Sequence, residues 1–169
     1  MKYNSLDDIS ITDSLRIAVV DRPQYPGNLG TIIRSADAFG FDAVLTVGHA
    51  VDIYDPQVLR ATTGSFFSLP VIGVSSHTDL INYLKQQQIT VVGSDEQGDS
   101  SIKELKAYRD KALCIILGNE EKGMSRSLQE ICDLMVSIPM RAHTRGSGAS
   151  SLNIATAAGI LFYESFDEK

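Results

Sequence analysis

Three stretches carry the residues whose types and spacing could do chemistry. Residues 117–124 read LGNEEKGM, an acidic turn set between Gly118 and Gly123 after an apolar run. Residues 151–164 read SLNIATAAGILFYE, a Ser/Asn start followed by Ala155, Ala157, Ala158 and Gly159, and residues 28–40 read NLGTIIRSADAFG. Glycine turns the chain without steric cost, and small side chains let a ligand or another backbone come close. Turns of this kind, gathered at the carboxyl ends of strands in an open α/β sheet, form a ligand crevice. They equally serve ordinary α/β packing, and spacing alone names no ligand.

The elements that would position these turns are legible from periodicity. Residues 16–20 form a first strand, and Pro23 and Pro26 break regular structure over residues 21–27. Asn28 stands where a helix N-cap belongs, and Leu29, Ile32, Ile33, Ala36 and Gly40 follow at helical spacing with Arg34 off that stripe. A strand over 43–47 completes a strand–helix–strand unit, which argues for a parallel sheet. Further along come a short helix over 55–62, extended pieces around Pro70 and an amphipathic helix over 78–88 with Leu80, Ile81 and Leu84 inward. Buried strands over 89–93 and 112–117 follow, then a short helix capped by Ser125, a strand over 134–138 stopped by Pro139, and a last helix capped by Ser151 or its neighbour.

Composition bounds the answer. The 169 residues suit a single domain spanning 1–169, with no repeat, linker or low-complexity tract. The polar, acidic start MKYNSLDDIS resembles no signal or transit peptide, no apolar run spans a bilayer, and Cys114 and Cys132 read as small buried hydrophobes without zinc spacing, so a cytoplasmic protein without metal is expected. The net charge of −6 runs against the basic footprint of a nucleic-acid binder. Local patches remain: Arg141, His143 and Arg145 share one loop, with Arg34 and Arg60 elsewhere. No strand-linked GxGxxG occurs near the start, which sets aside a dinucleotide-dependent oxidoreductase.

In order along the chain, NLGTIIRSADAFG, RATTGSFFSLPV at 60–71, LGNEEKGM, and IPM at 138–140 followed by SLNIATAAGILFYE resemble the motifs of the SpoU (TrmH-like) branch of the SPOUT methyltransferases. The resemblance runs from about residue 17 to 164. It implies an enzyme that moves a methyl group from S-adenosylmethionine to a ribose 2′-hydroxyl in tRNA or rRNA. It also implies an α/β fold, a mostly parallel sheet flanked by helices with a deep C-terminal trefoil knot, working as a homodimer. A knotted dimer that binds RNA without methylating it is the alternative.

The same resemblance assigns residues. Arg34, Asn28, Glu120, Ser151 and Asn153 match catalytic positions, and the methyl donor is expected among Gly93, Ser94, Leu117, Gly118, Ile138, Met140 and Leu152, held largely by backbone groups. Arg34, Arg141 and Arg145 are the expected RNA contacts. A guanidinium stays protonated, so Arg34 is expected to orient the hydroxyl and stabilise developing negative charge, with an RNA phosphate or solvent taking the proton. Capping is the competing role for Asn28, Ser151 and Asn153. The sequence departs from the family in the ten-residue spacer 141–150, longer than usual between IPM and SLN. It also leaves no room for an added RNA-binding domain, so recognition is expected to rest on the catalytic dimer.

Overall fold

The computed structural model describes residues 5–140 and 151–166. In chain order the elements are β1 (Arg16–Asp21), α1 (Pro26–Ala38), β2 (Ala43–Val47), α2 (Pro56–Ala61), β3 (Val71–Val74), α3 (His77–Gln86) and β4 (Thr90–Ser94). They continue as β5 (Ser100–Ser101), β6 (Leu113–Leu117), α4 (Arg126–Gln129), β7 (Leu134–Ser137) and α5 (Ile154–Ser165), with 3-10 turns at Ser65–Phe67 and Ile102–Tyr108. The strands form one sheet in the order β3-β2-β1-β6-β4-β7-β5, and every pairing between these strands is parallel.

Every residue of β1, β2 and β6 is buried, which is why their sequences are nearly continuous apolar runs rather than alternating ones. Successive side chains serve opposite faces. Ala18 and Val20 join the core under α1 and α5, while Ile17 and Val19 join the core under α3 and α4. The chain winds outward from β1 through β2 to β3, crosses to β4, and only later fills the place between β1 and β4 with β6. That reversal gathers the carboxyl ends of β4, β6 and β7 at one edge, the position where open parallel sheets leave a crevice.

Several local expectations are corrected. The first helix begins at Pro26, with Tyr25 at the cap position, so Asn28 lies inside the first turn and caps nothing. Proline fits there because the first helical residue has no intrahelical use for its N–H. Of the one or two extended pieces expected around Pro70, Val71–Val74 is present as a strand, while residues 65–67 form a 3-10 turn. Ser125 precedes α4, but its side chain makes no capping bond and its Oγ is buried without a partner. Asn153, not Ser151, caps α5.

The backbone N–H of Ser125 is engaged elsewhere. It donates to Asp21 Oδ2 at 2.7 Å, at the buried end of β1. Arg22 grips the same carboxylate with Nε and Nη2 at 3.0 and 2.9 Å, and His77 Nε2 lies 2.9 Å from Oδ1. Arg22 sits at φ 50°, and its Nη2 also donates to the Gly123 carbonyl at 3.0 Å. Gly48 makes room for this arginine, since a Cβ there would fall 2.7 Å from Arg22 Cγ. Three segments distant in sequence are thus fastened to one carboxylate.

Burial alone would raise the Asp21 pKa, but the hydrogen bonds from Arg22, His77 and Ser125 together outweigh it and hold the carboxyl below its ordinary 3.8. A depressed pKa contributes stability that is complete above the unfolded-state value and is lost as pH falls through the folded-state value. Asp21→Asn is expected to cost about 3 kcal/mol in urea denaturation at neutral pH, because it leaves Arg22 without its counter-charge. The gap to the wild type should stay constant above about pH 5 and close below about pH 4; a gap that widened on acidification would contradict this account.

Candidate active site

The loop after β6 is built by Asn119. Its backbone N–H and C=O pair with Gly123 at 3.0 and 2.9 Å, closing residues 119–123 into a small hairpin. Its Oδ1 accepts from the Glu121 and Lys122 amides at 3.0 and 2.8 Å, and its Nδ2 donates to the Arg22 carbonyl at 2.7 Å. Gly118 is required beside it, because a Cβ there would stand 2.5 Å from the Met124 nitrogen. Gly123 closes the loop at φ 67°. In the sequence Asn119 reads as one polar turn residue among several; its signal is that an Asn can bond its own turn two and three residues on.

This hairpin presents Glu120 to the start of α1. Glu120 accepts from the Gln24 amide at 3.3 Å and from Asn28 Nδ2 at 3.4 Å. Asn28 Oδ1 accepts from Asn153 Nδ2 at 3.1 Å, while Asn153 Oδ1 caps α5 through the Ala155 and Thr156 amides at 2.9 and 3.3 Å. A carboxylate only accepts and a helix start only donates, so both asparagine amides have a single consistent orientation. Glu121 accepts from the Tyr25 hydroxyl at 3.1 Å, and this bond, with the carboxylate charge, raises the Tyr25 pKa.

The Glu120–Asn28–Asn153 chain borders a cleft of about 670 Å³ at the carboxyl ends of β4, β6 and β7. Asn28, Glu120, Ser151 and Asn153 all line it, as do Ser94, Leu117, Gly118, Ile138, Met140 and Leu152. Gly93 does not: the position of its missing Cβ lies against Met135, Cys132 and Met124, within the core. Arg34 is exposed on α1 outside this lining, and it has no hydrogen-bond or ion-pair partner among the described residues. Arg141, His143 and Arg145 lie outside the described residues.

The sequence reading passed over Asp95, Glu96 and Gln97, which form a polar wall. Their position directly after the strand ending at Ser94 could have marked them. Among the described residues no three His, Cys, Asp or Glu side chains converge as a metal site. Burial raises the pKa of both thiols, that of Cys132 to about 11, which keeps them as unreactive packing groups. An apolar floor, a backbone-lined loop and an acidic wall together suit a ligand with an apolar body and hydroxyl or cationic groups.

Comparison with known proteins agrees with this geometry. Residues 15–163 match the SpoU rRNA Methylase family. A 23S rRNA (uridine(2479)-2'-O)-methyltransferase of Streptomyces viridochromogenes is 38% identical over the whole of this chain and 58% of its own length. Among solved structures, the SpoU methyltransferase AviRb of Streptomyces viridochromogenes in complex with AdoMet superposes with a TM-score of 0.89 at 38% identity, covering 98% of this chain and 64% of that one. An AdoMet-bound rRNA methyltransferase of Sinorhizobium meliloti gives 0.86 at 32%, covering 97% and 60%. The chain therefore spans about three fifths of the length of these relatives. On a match that takes in both the cleft and the strands beneath it, the chain belongs to the SpoU rRNA methylase family.

Proposed function

We propose that this chain transfers a methyl group from S-adenosylmethionine to a ribose 2′-hydroxyl of RNA, ribosomal or transfer. The observation that carries the reading is the convergence of Glu120, Asn28, Ser151 and Asn153 on the border of a cleft whose floor is made of strand ends. The site fits the donor: Leu117, Ile138 and Leu152 offer apolar contact, Gly118 keeps the loop backbone close, and Asp95 and Glu96 face the same space as hydrogen-bond acceptors. When bound, S-adenosylmethionine supplies a methyl group already activated by its sulfonium, so the protein's contribution is chiefly alignment of the acceptor oxygen.

Glu120 is held at both oxygens and Asn28 at both amide ends, so neither side chain needs to reorganise as the acceptor arrives. Ser151, on the same border, supplies a hydroxyl for the ribose. Arg34 orients the 2′-hydroxyl and stabilises its developing charge, and the proton leaves to an RNA phosphate or to solvent, because guanidinium does not act as a base. That Arg34 is not among the residues lining its own chain's cleft supports its reaching the reacting hydroxyl from a second copy in a homodimer. The outer face of α5 supports such a pairing: Tyr163 is 54% exposed, and a Cβ at Gly159 would find nothing nearer than Ser35 Oγ at 4.0 Å.

The trefoil knot belongs to the same proposal. It is supported by β7 lying between the earlier strands β4 and β5, with α5 then returning onto α1. The whole of 1–169 is read as one such domain, acting in the cytoplasm where ribosomal and transfer RNA are modified; no helix among the described residues is long and apolar enough to cross a membrane. Arg141 and Arg145 are assigned to the RNA strand.

The direct test is calorimetric titration with S-adenosylmethionine, followed by transfer of labelled methyl to bulk ribosomal and transfer RNA with nucleoside analysis. Label in 2′-O-methyl nucleosides is expected; label on a base would overturn the ribose assignment, and RNA binding without label would favour the non-catalytic binder. Gly118→Ala should weaken donor binding at least about tenfold, equivalent to about 1.4 kcal/mol, with the far-ultraviolet spectrum unchanged. At a donor concentration too low to fill the Gly118→Ala cleft, mixing Arg34→Ala and Gly118→Ala proteins after dissociation and reassembly should restore about a quarter of wild-type transfer, because reassortment gives each mixed dimer one intact site. No recovery would place Arg34 in the cleft of its own chain.

A further inference from the structure

In an acidic chain the arginines that lack a partner are informative. Among the described residues, Arg16 donates to the Tyr108 and Arg109 carbonyls, Arg22 to Asp21, Arg109 to the Glu164 carbonyl and Arg126 to Glu130. Arg34 and Arg60 are exposed and have no such partner among these residues. They lie on helices that touch closely. At Gly30 of α1 an added Cβ would fall 2.5 Å from Ala61 Cβ and 2.6 Å from the Val58 carbonyl of α2. Arg34 follows Gly30 by one turn on the same face, and Arg60 directly precedes Ala61 in the chain, so both arginines lie within about a turn of this contact.

The chain leaving α2 then adds an aromatic ring. Thr63 at φ 50° and Gly64 at φ 104° turn it sharply, and a β-branched residue in that conformation is strained. The turn is fixed by bonds from the Ser65 amide to the Thr62 carbonyl at 3.1 Å and from the Phe67 amide to the Gly64 carbonyl at 3.0 Å, and it packs on α1. Phe66 goes into the core, while Phe67 is 77% exposed, more than any other large apolar residue described. Its ring meets Phe66 edge to face at 5.7 Å, and Phe66 meets Tyr54 in the same way at 5.6 Å. A phenyl ring held in water on a rigid, strained turn is a preformed surface for stacking. Guanidinium groups without a partner among the described residues, on the two helices that adjoin the turn carrying a fixed exposed ring, match the chemistry of single-stranded nucleic acid, phosphate for the cations and a base face for the ring.

We propose that Phe67 and Arg60, continuous with Arg34, form a platform for the substrate RNA, with Phe67 stacking on an unpaired base and Arg60 binding a phosphate. This rests on the RNA-methylation reading and deepens it, placing the acceptor strand across α2 and the turn that follows rather than over the acidic wall of the donor cleft.

The test uses a fluorescein-labelled single-stranded RNA of mixed sequence, with the same RNA as a duplex for comparison, binding to the full chain and its variants at several salt concentrations. Phe67→Ala is expected to weaken single-strand binding about tenfold or more with the salt slope unchanged, and Phe67→Trp to retain it. Duplex binding should respond little to either change, since its base faces are covered. Arg60→Gln should lower the slope of log affinity against log salt by about 0.7. Equal single-strand affinity for Phe67→Ala and wild type would overturn the platform. So would conversion of Phe67→Ala from dimer to monomer in sedimentation, which would make this ring a contact between copies. Titration of S-adenosylmethionine into the same preparations separates the two readings: absent donor binding by the wild type counts against methyl transfer, whereas the platform is decided by the RNA measurements alone.

Discussion

Everything at the carboxyl edge of the sheet hangs on the buried carboxylate of Asp21. A charge at the end of a central strand is costly to bury, and it is tolerated because it accepts from the Arg22 side chain, His77 and the Ser125 amide. Those donors come from the residue directly after β1, from the first residue of α3 and from the end of the loop after β6. The carboxylate therefore fixes the depth at which that loop lies against the sheet. Asn119 turns this anchoring into shape by bonding the Arg22 carbonyl on one side and its own hairpin on the other.

The polar chain from Glu120 through Asn28 to Asn153 extends that constraint across the cleft. The two outer links have a second duty: Glu120 also meets the backbone amide of Gln24, and Asn153 also caps α5. Capping and site chemistry, which compete as explanations for an asparagine in a sequence, are thus carried out together by Asn153. For Asn28 they separate, because Pro26 starts the helix and leaves Asn28 free to face the cleft. The floor beneath is made by residues at or just beyond strand ends, so its position is set by the ladder between β4, β6 and β7.

The parts of this molecule that the sequence discloses are those with local causes. β1, β2 and β6 were readable because full burial writes an unbroken apolar run, and α3 because Leu80 and Leu84 repeat at helical spacing. Order of motifs disclosed the family and most of the cleft's lining. What escaped has causes distant in the chain. Nothing near Asp21 announces His77 or Ser125 as its partners, and Pro26 reads as a breaker until the helix that follows it is seen. At Gly93 the absence of a side chain has a packing cause distant in sequence, the approach of Met135 and Cys132. Arg34 matches a motif position, but a motif does not say whose cleft its guanidinium serves.

The strand order also governs how the molecule comes into being. β6 stands between β1 and β4, yet it is made after both, so the two halves of the sheet cannot join until residues 113–117 arrive. Until then β1 and β4 each expose an unpaired, strongly apolar edge, the kind of surface that recruits other chains. Pairings this far apart in sequence make folding slow and leave the partly built sheet open to aggregation during synthesis. The cleft, bordered by β6, β7 and the start of α5, is consequently the last region to assemble, and a nascent chain has no complete cleft before its central strand is in place.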